Sequence, residues 1–281
     1  MFGREYANHL DILIHSLGEI NEKYQNKIKT DENNLSFINK LKKLYISIFG
    51  IPEIGFQIRS LYFEKIIKCY LLKKNPIQIL DAGCGIGIYS LLLGRMFTKA
   101  RVTGGDIDKY KLQSCKAIAK ELNIKNVGFE YLNITKTSNK TAYDLAVCID
   151  VLEHIHDYEL ALRNFSKLLK SKGCLYIHVP QPNQKRIFSS LKNWHHEDHA
   201  HEGISKNELE NRLKKLGFKI IVSMETFGFF GKLSWELNHI MLSKSFLIAG
   251  VMFPLLYVVA KMDLWTNNKD GLGVAVLAKK E

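Results

Sequence analysis

The sequence is poor in residues that cross-link or punctuate a chain: five prolines and five cysteines are spread over 281 residues. The cysteines (Cys69, Cys84, Cys115, Cys148 and Cys174) are odd in number, far apart and mostly set in apolar periodic segments. That spacing argues for reduced core thiols over a disulfide framework or a Cys-x-x-Cys zinc site. The amino-terminal stretch is polar and lacks the apolar core of a secretory signal, so a cytoplasmic location is expected. No internal repeat or low-complexity tract occurs. Acidic residues are also scarce: 28 against 40 lysines and arginines, a net charge of +12. Many lysines fall at expected helix ends, as in Leu72-Lys73-Lys74, Lys170-Ser171-Lys172 and Lys214-Lys215-Leu216, where they complement the helix dipole. No basic stripe with interleaved aromatics stands out, which speaks against a nucleic-acid partner while leaving an anionic membrane surface open.

The periodicity predicts amphipathic helices around Tyr6 to Lys27 and Leu35 to Phe49, a turn at Gly50-Ile51-Pro52, and a third helix from about Ser60 to Lys73. From Ile77 the pattern becomes apolar run, turn and helix, repeated. Ile77–Asp81, Arg101–Asp106, Val127–Leu132, Tyr143–Ile149 and Cys174–Val179 read as strands, followed by Phe218–Met224 and Gly273–Ala278. Such alternation implies a doubly wound, mostly parallel sheet covered on both faces. Ser205-Lys206-Asn207-Glu208 is a capping box that opens a helix ending at Gly217. The expected organisation is a helical extension over 1–73, an α/β core over 74–225, a hydrophobic helical insertion over 226–270 and a last core strand over 271–281.

Chemistry concentrates at Asp81-Ala82-Gly83-Cys84-Gly85-Ile86-Gly87, where strand, glycine loop and helix start follow one another and the backbone can approach a ligand closely. The dinucleotide fingerprint would need a glycine at Ile88, and Asp81 ahead of the loop would repel a pyrophosphate. Asp106 closes the second strand, where a doubly wound fold puts the carboxylate that takes a ribose hydroxyl pair; Asp108 reads as the next helix cap.

The loop resembles the first motif of class I S-adenosylmethionine-dependent methyltransferases, and the blocks that follow keep that family's order through Val179. The likeness extends to the small-molecule and quinone-biosynthesis type. It implies a seven-stranded class I fold with S-adenosylmethionine as cofactor. It places Gly83, Cys84, Gly85 and Gly87 beside the methionine part, Asp81 near its amino group, and Asp106 with Ile107 at the ribose. Asn133, where relatives often carry an acid, and Ile134 fall at the adenine, with a surface turn as the alternative for Asn133. Tyr143 to Ile155 resembles the family's fourth strand and its Leu-Glu-His signature, which implies Asp150 and Val151 beside the cofactor. Arg59 stands where some relatives hold the cofactor carboxylate, a group that a bidentate guanidinium suits, with a solvent-exposed arginine as the alternative. The Asn-Pro-Pro-Tyr type motif used on nucleobase or amide nitrogens is absent.

Trp194 to Gly203 carries four histidines after the fifth strand, at the ligand-binding edge of such a sheet. Transfer to a hydroxyl needs a general base, and imidazole titrates in the right range. His199 is the candidate base, with His195 and His154 as further candidates, His154 reading more readily as a packed histidine at the start of the next helix; a divalent metal held by these groups is the less favoured reading, and a polar loop the plainest. The apolar run Phe246 to Ala260 is short of the roughly 20 residues of a membrane span and contains Pro254. It is expected to be helical up to Pro254, as a lid over a hydrophobic acceptor, a contact with a membrane interface, or plain core. The reaction expected is methylation of a hydroxyl, or less readily of carbon or nitrogen, on a hydrophobic small-molecule or lipid-like acceptor, in the cytoplasm or at the inner face of the membrane. An RNA- or protein-directed enzyme and a non-catalytic cofactor-binding protein are the alternatives.

Overall fold

The computed structural model describes Arg4 and residues 32–136, 142–192 and 200–281. The expected helix at Tyr6 to Lys27 lies outside the described residues. Two helices lead into the sheet, α1 (Glu32–Phe49) and α2 (Ile54–Tyr70). The second starts earlier than its apolar periodicity predicts because Glu53 caps it, accepting hydrogen bonds from the amides of Gly55 and Phe56. Its end falls at Tyr70, and Leu72–Lys74 form a separate tight turn.

Seven strands form one sheet: β1 (Gln78–Ala82), β2 (Arg101–Asp106), β3 (Val127–Tyr131), β4 (Tyr143–Ile149), β5 (Leu169–Pro180), β6 (Phe218–Thr226) and β7 (Gly273–Lys280). Their order is β3-β2-β1-β4-β5-β7-β6, with β7 antiparallel to both neighbours and the other pairs parallel. The chain runs outward from β1 to β3 and returns to β4 on the other side of β1. The carboxyl ends of β1 and β4 therefore flank the topological switch point, where such sheets open a crevice for ligands.

Alternation along the strands covers both faces. Ile79, Leu145, Val147 and Tyr176 pack with Phe63, Ile66 and Ile67 of α2 and with Leu93 of α3 (Ile88–Met96). Leu80, Ala146, Cys148 and Ile177 face the other way, onto Leu162 and Phe165 of α5 (Tyr158–Leu168) and onto Leu209 and Leu213 of α6 (Lys206–Lys215). Between them in the chain, α4 (Lys109–Glu121) packs Leu112, Cys115 and Ile118 against α3 and Phe129. Ser205 caps α6 as its capping box predicts. Lys170 and Lys172 do not close a helix: β5 begins at Leu169, in register with Tyr143, and Lys170 pairs with Asp144 at 2.8 Å.

Between β6 and β7 the chain inserts α7 (Phe229–Lys244) and α8 (Phe246–Lys261). Phe253, Leu256, Tyr257 and Ala260 of α8 pack with Ile54, Ile58, Leu61 and Tyr62 on the face of α2 turned away from the sheet. The expectation that α8 stops at Pro254 is corrected, because the helix runs through it to Lys261. Proline deprives the carbonyl four residues back of its donor and crowds it. That carbonyl belongs to Gly250, and the Tyr45 hydroxyl from α1 donates to it at 2.6 Å.

Candidate functional site

The loop after β1 folds over the end of β2. Amides of Gly83 and Cys84 both donate to the Gly105 carbonyl, at 2.7 and 3.0 Å. Gly83 has φ +75°, and a Cβ there would meet Val151 Cγ2 at 2.3 Å, so only glycine lets the loop touch the turn after β4. At Gly85, φ is +53° and a Cβ would meet nothing within 4 Å, so the space beside its Cα is open. Gly87 then serves as N-cap of α3. Four cysteines are buried as reduced thiols and Cys69 is exposed; Cys115 Sγ lies 3.3 Å from the Gly85 carbonyl, under the loop.

Asp106 and Asp108 take separate roles. Asp106 Oδ2 accepts from the Gly85 amide at 2.8 Å and Oδ1 from the Asp108 amide at 2.9 Å, so this carboxylate sits at the mouth of the glycine loop. Asp108 caps α4 through the amides of Tyr110 and Lys111. Ile107 between them is 64% exposed, an apolar side chain presented beside that carboxylate.

Asp81 is turned beneath the loop, 2% exposed, with the Ser90 hydroxyl donating to Oδ2 at 2.6 Å. Burial, partly offset by that hydrogen bond and reinforced by Asp106, pushes its pKa up to about 7. Past β3, the Asn133 amide oxygen accepts from both the amide and the hydroxyl of Thr135, forming a local turn. Both contacts compete for the oxygen expected at an adenine. Ile134 is buried behind it, its carbonyl held by Asn164 at 2.7 Å.

The end of β4 carries a network whose members are distant in sequence. Asp150, at φ +50°, accepts from Arg59 Nε at 3.0 Å and lies 2.5 Å from His178 Nδ1. His178, 2% exposed, reaches Thr226 Oγ1 through Nε2 at 2.9 Å, and Arg59 also pairs with Glu53 at 3.2 Å. Burial alone would lower the Arg59 pKa, but Asp150 and Glu53 raise it further, so the guanidinium stays charged. Arg59 is thus gathered into the site, committed to two protein carboxylates. Sequence reading missed His178, Glu53 and Thr226. Only His178 left a signal, as a polar residue inside the apolar run Leu175-Tyr176-Ile177-His178-Val179.

Leu152–His154 form a tight turn after Asp150. Glu153 is buried, its Oε2 lacks a hydrogen-bond partner among the described residues, and burial next to Asp150 drives its pKa well upward. Its backbone carbonyl accepts the amides of Ala200 and His201, at 2.8 and 3.2 Å. His201 Nε2 lies 3.1 and 3.0 Å from the carbonyls of Ile155 and His156. His154 is exposed on the turn. His195 and His199 lie outside the described residues, as does most of the segment considered for a metal. Among the described residues no group of three or more His, Cys, Asp or Glu could hold a metal ion.

On the far side of Arg59, Trp235 of α7 stacks its ring 3.8 Å from that of His239 and lies 4.7 Å from the Arg186 guanidinium. A Cβ on Gly55 would meet both Trp235 Cδ1 and Arg59 Nη1 at 3.3 Å, so Trp235 and Arg59 border the same spot. Glu236 ties α7 to the segment after β5 by accepting the amides of Ile187 and Phe188.

A fold of this strand order with a glycine loop and a carboxylate at the next strand end defines the class I methyltransferase architecture. The family profile described as "Methyltransferase domain" matches residues 56–223, and the chain belongs to that family. Ubiquinone biosynthesis O-methyltransferase of Rickettsia bellii is 31% identical over 129 residues, covering 46% of this chain and 52% of that protein. (S)-coclaurine N-methyltransferase of Papaver somniferum is 28% identical over 104 residues, 37% of this chain and 30% of that protein. The chain therefore matches about half or less of these relatives' length. Among solved structures, coclaurine N-methyltransferase bound to N-methylheliamine and SAH aligns with TM-score 0.55 at 16% identity, over 80% of this chain and 70% of that one. The [4+2]-cyclase SpnF aligns with TM-score 0.57, also at 16% identity, over 79% and 81%. These likenesses support the fold.

Proposed function

We propose that this protein transfers the methyl group of S-adenosylmethionine to an oxygen of a hydrophobic small-molecule or lipid-like acceptor. The observation that carries the reading is the glycine loop after β1, where Gly83 lies against Val151 of the turn after β4 and the Gly85 amide donates to the carboxylate of Asp106. When bound, the cofactor supplies a methyl on a positively charged sulfur with a good leaving group. The chain's own residues position and shield: Gly83 and Gly85 admit close approach, and Asp106 accepts the ribose hydroxyls with Ile107 flanking them. Asp150 and Arg59 fix the turn that carries Val151. Alignment of this kind accounts for much of the rate in a direct displacement. His199 is assigned the proton of the accepting hydroxyl, with His195 and His154 as alternates.

The Trp235 wall and the apolar residues behind it favour a greasy acceptor, and the similarity to an O-methyltransferase of ubiquinone biosynthesis favours oxygen. Nitrogen is the second reading, carried by the similarity to (S)-coclaurine N-methyltransferase. Calorimetry with S-adenosylhomocysteine and with NAD tests the site: one molecule of the first per chain and none of the second is expected, and the reverse would overturn the assignment. Methyl transfer from labelled cofactor to matched phenols and amines of graded apolar chain length then separates oxygen from nitrogen. A rate that rises through an imidazole titration and is lost in His199→Ala, with cofactor affinity kept, is the signature of the assigned base.

A further inference from the structure

The two faces of α8 are both apolar, yet only one is covered. Ala249, Phe253, Leu256 and Ala260 pack inward, whereas Leu247, Val251, Leu255, Val258, Met262 and Trp265 recur every three to four residues on the opposite side and are between 40 and 79% exposed. Only a third of the apolar stretch Leu247–Trp265 is buried. A helix that is hydrophobic all round is ordinarily a core helix, and a continuous exposed stripe of this length marks an interaction surface. Beside it, α1 exposes Leu41, Leu44 and Ile48, and the Tyr45–Gly250 hydrogen bond fastens the two helices together.

The charges on the segments that carry these faces are basic, with Glu64 of α2 near Tyr257 and the buried Asp263 as the acidic neighbours. Residues 33–52 contain Lys40, Lys42 and Lys43, and residues 237–262 contain Lys244 and Lys261; neither segment contains an aspartate or glutamate. Lys65 stands at the far end of α8, with Nζ on the Leu264 carbonyl. A second copy of this chain would bring lysine against lysine. An anionic bilayer offers what both features require, apolar depth for the stripe and negative headgroups for its rim. Because the inner face of α8 is packed on α2, the helix cannot be surrounded by lipid and must lie along the surface.

We propose that the outer face of α8, flanked by the end of α1, seats this protein on membranes that contain anionic lipid. The proposal does not depend on the methyl acceptor or on turnover. Its test is flotation of the full chain with phosphatidylcholine vesicles made with and without phosphatidylglycerol, at low and high salt. The comparison variant is Leu247→Glu/Val251→Glu/Val258→Glu, whose folding is checked by the same thermal shift with S-adenosylhomocysteine as the wild type. Wild type should float with the anionic vesicles, lose about tenfold or more of that binding at high salt, and stay unbound with phosphatidylcholine alone; the variant should stay at the bottom throughout. Lys40→Glu/Lys43→Glu/Lys244→Glu should weaken binding to anionic vesicles in the same assay. The proposal fails if wild type ignores both vesicle types, or if the glutamate variant floats as well as wild type. It also fails if the face proves to join two copies, seen as a wild-type dimer in sedimentation that the variant dissociates.

Discussion

Replacing Asp81 by asparagine isolates the consequence of burying an acid under the cofactor loop. In the folded chain this carboxyl titrates at about 7 against an ordinary value of 3.8, chiefly because it is buried, with Asp106 adding to the effect and Ser90 opposing it. Between those two values the folded protein keeps a proton that the unfolded chain has released, so this group makes stability fall as pH rises from about 4 to about 7 and then level off. At about 1.4 kcal/mol for each pH step, a gap of about three steps amounts to about 4 kcal/mol. The carboxamide of the Asp81→Asn variant has the shape of the neutral acid and still offers an oxygen to the Ser90 hydroxyl. The variant should therefore match wild type near pH 4 and exceed it by up to about 4 kcal/mol at pH 8, or about 8 °C or more in Tm for a chain of this size. Urea unfolding of both proteins at several pH values measures the difference directly. Two curves that stay parallel from pH 4 to 8 would refute the burial argument.

The remaining tests follow the same geometry. Asp106→Ala should weaken S-adenosylhomocysteine binding about tenfold or more in calorimetry, while Asp108→Ala should leave affinity nearly unchanged and cost about 1 kcal/mol in denaturant unfolding by uncapping α4. Gly83→Ala should abolish cofactor binding, and adding Val151→Ala should restore it only in part, because the bulk is relieved but the left-handed backbone remains. Tyr45→Phe should cost about 1–3 kcal/mol by leaving the Gly250 carbonyl without its donor. In a Pro254→Ala background the new amide supplies that bond within the helix, so the same substitution should cost almost nothing; equal losses in both backgrounds would show that the Tyr45 contact has no special tie to the proline.

What could be read from the chain alone was whatever its physics keeps local. Strands buried on both faces appear as short continuous apolar runs, and their carboxyl ends are marked by polar residues such as Asp106. The glycine loop was legible because close backbone approach leaves a local trace. The network around Asp150 was less legible: Arg59 stood out, but as a partner for the cofactor, and Arg59, His178 and Thr226 come from α2, β5 and β6, so only the sheet order brings them together. Pro254 misled for a related reason, since a local rule ends the helix there and a tyrosine 205 residues from Gly250 removes the ground for it. The apolar run 246–260 shows the limit most clearly. Its composition is equally that of lid, membrane contact and core, and the choice turns on which face α2 covers, a question that periodicity cannot pose when every position is apolar. Once α2 is seen to take one side, the other side becomes a property of the surface, and the lysines at its margin acquire a meaning that a count of net charge did not give them.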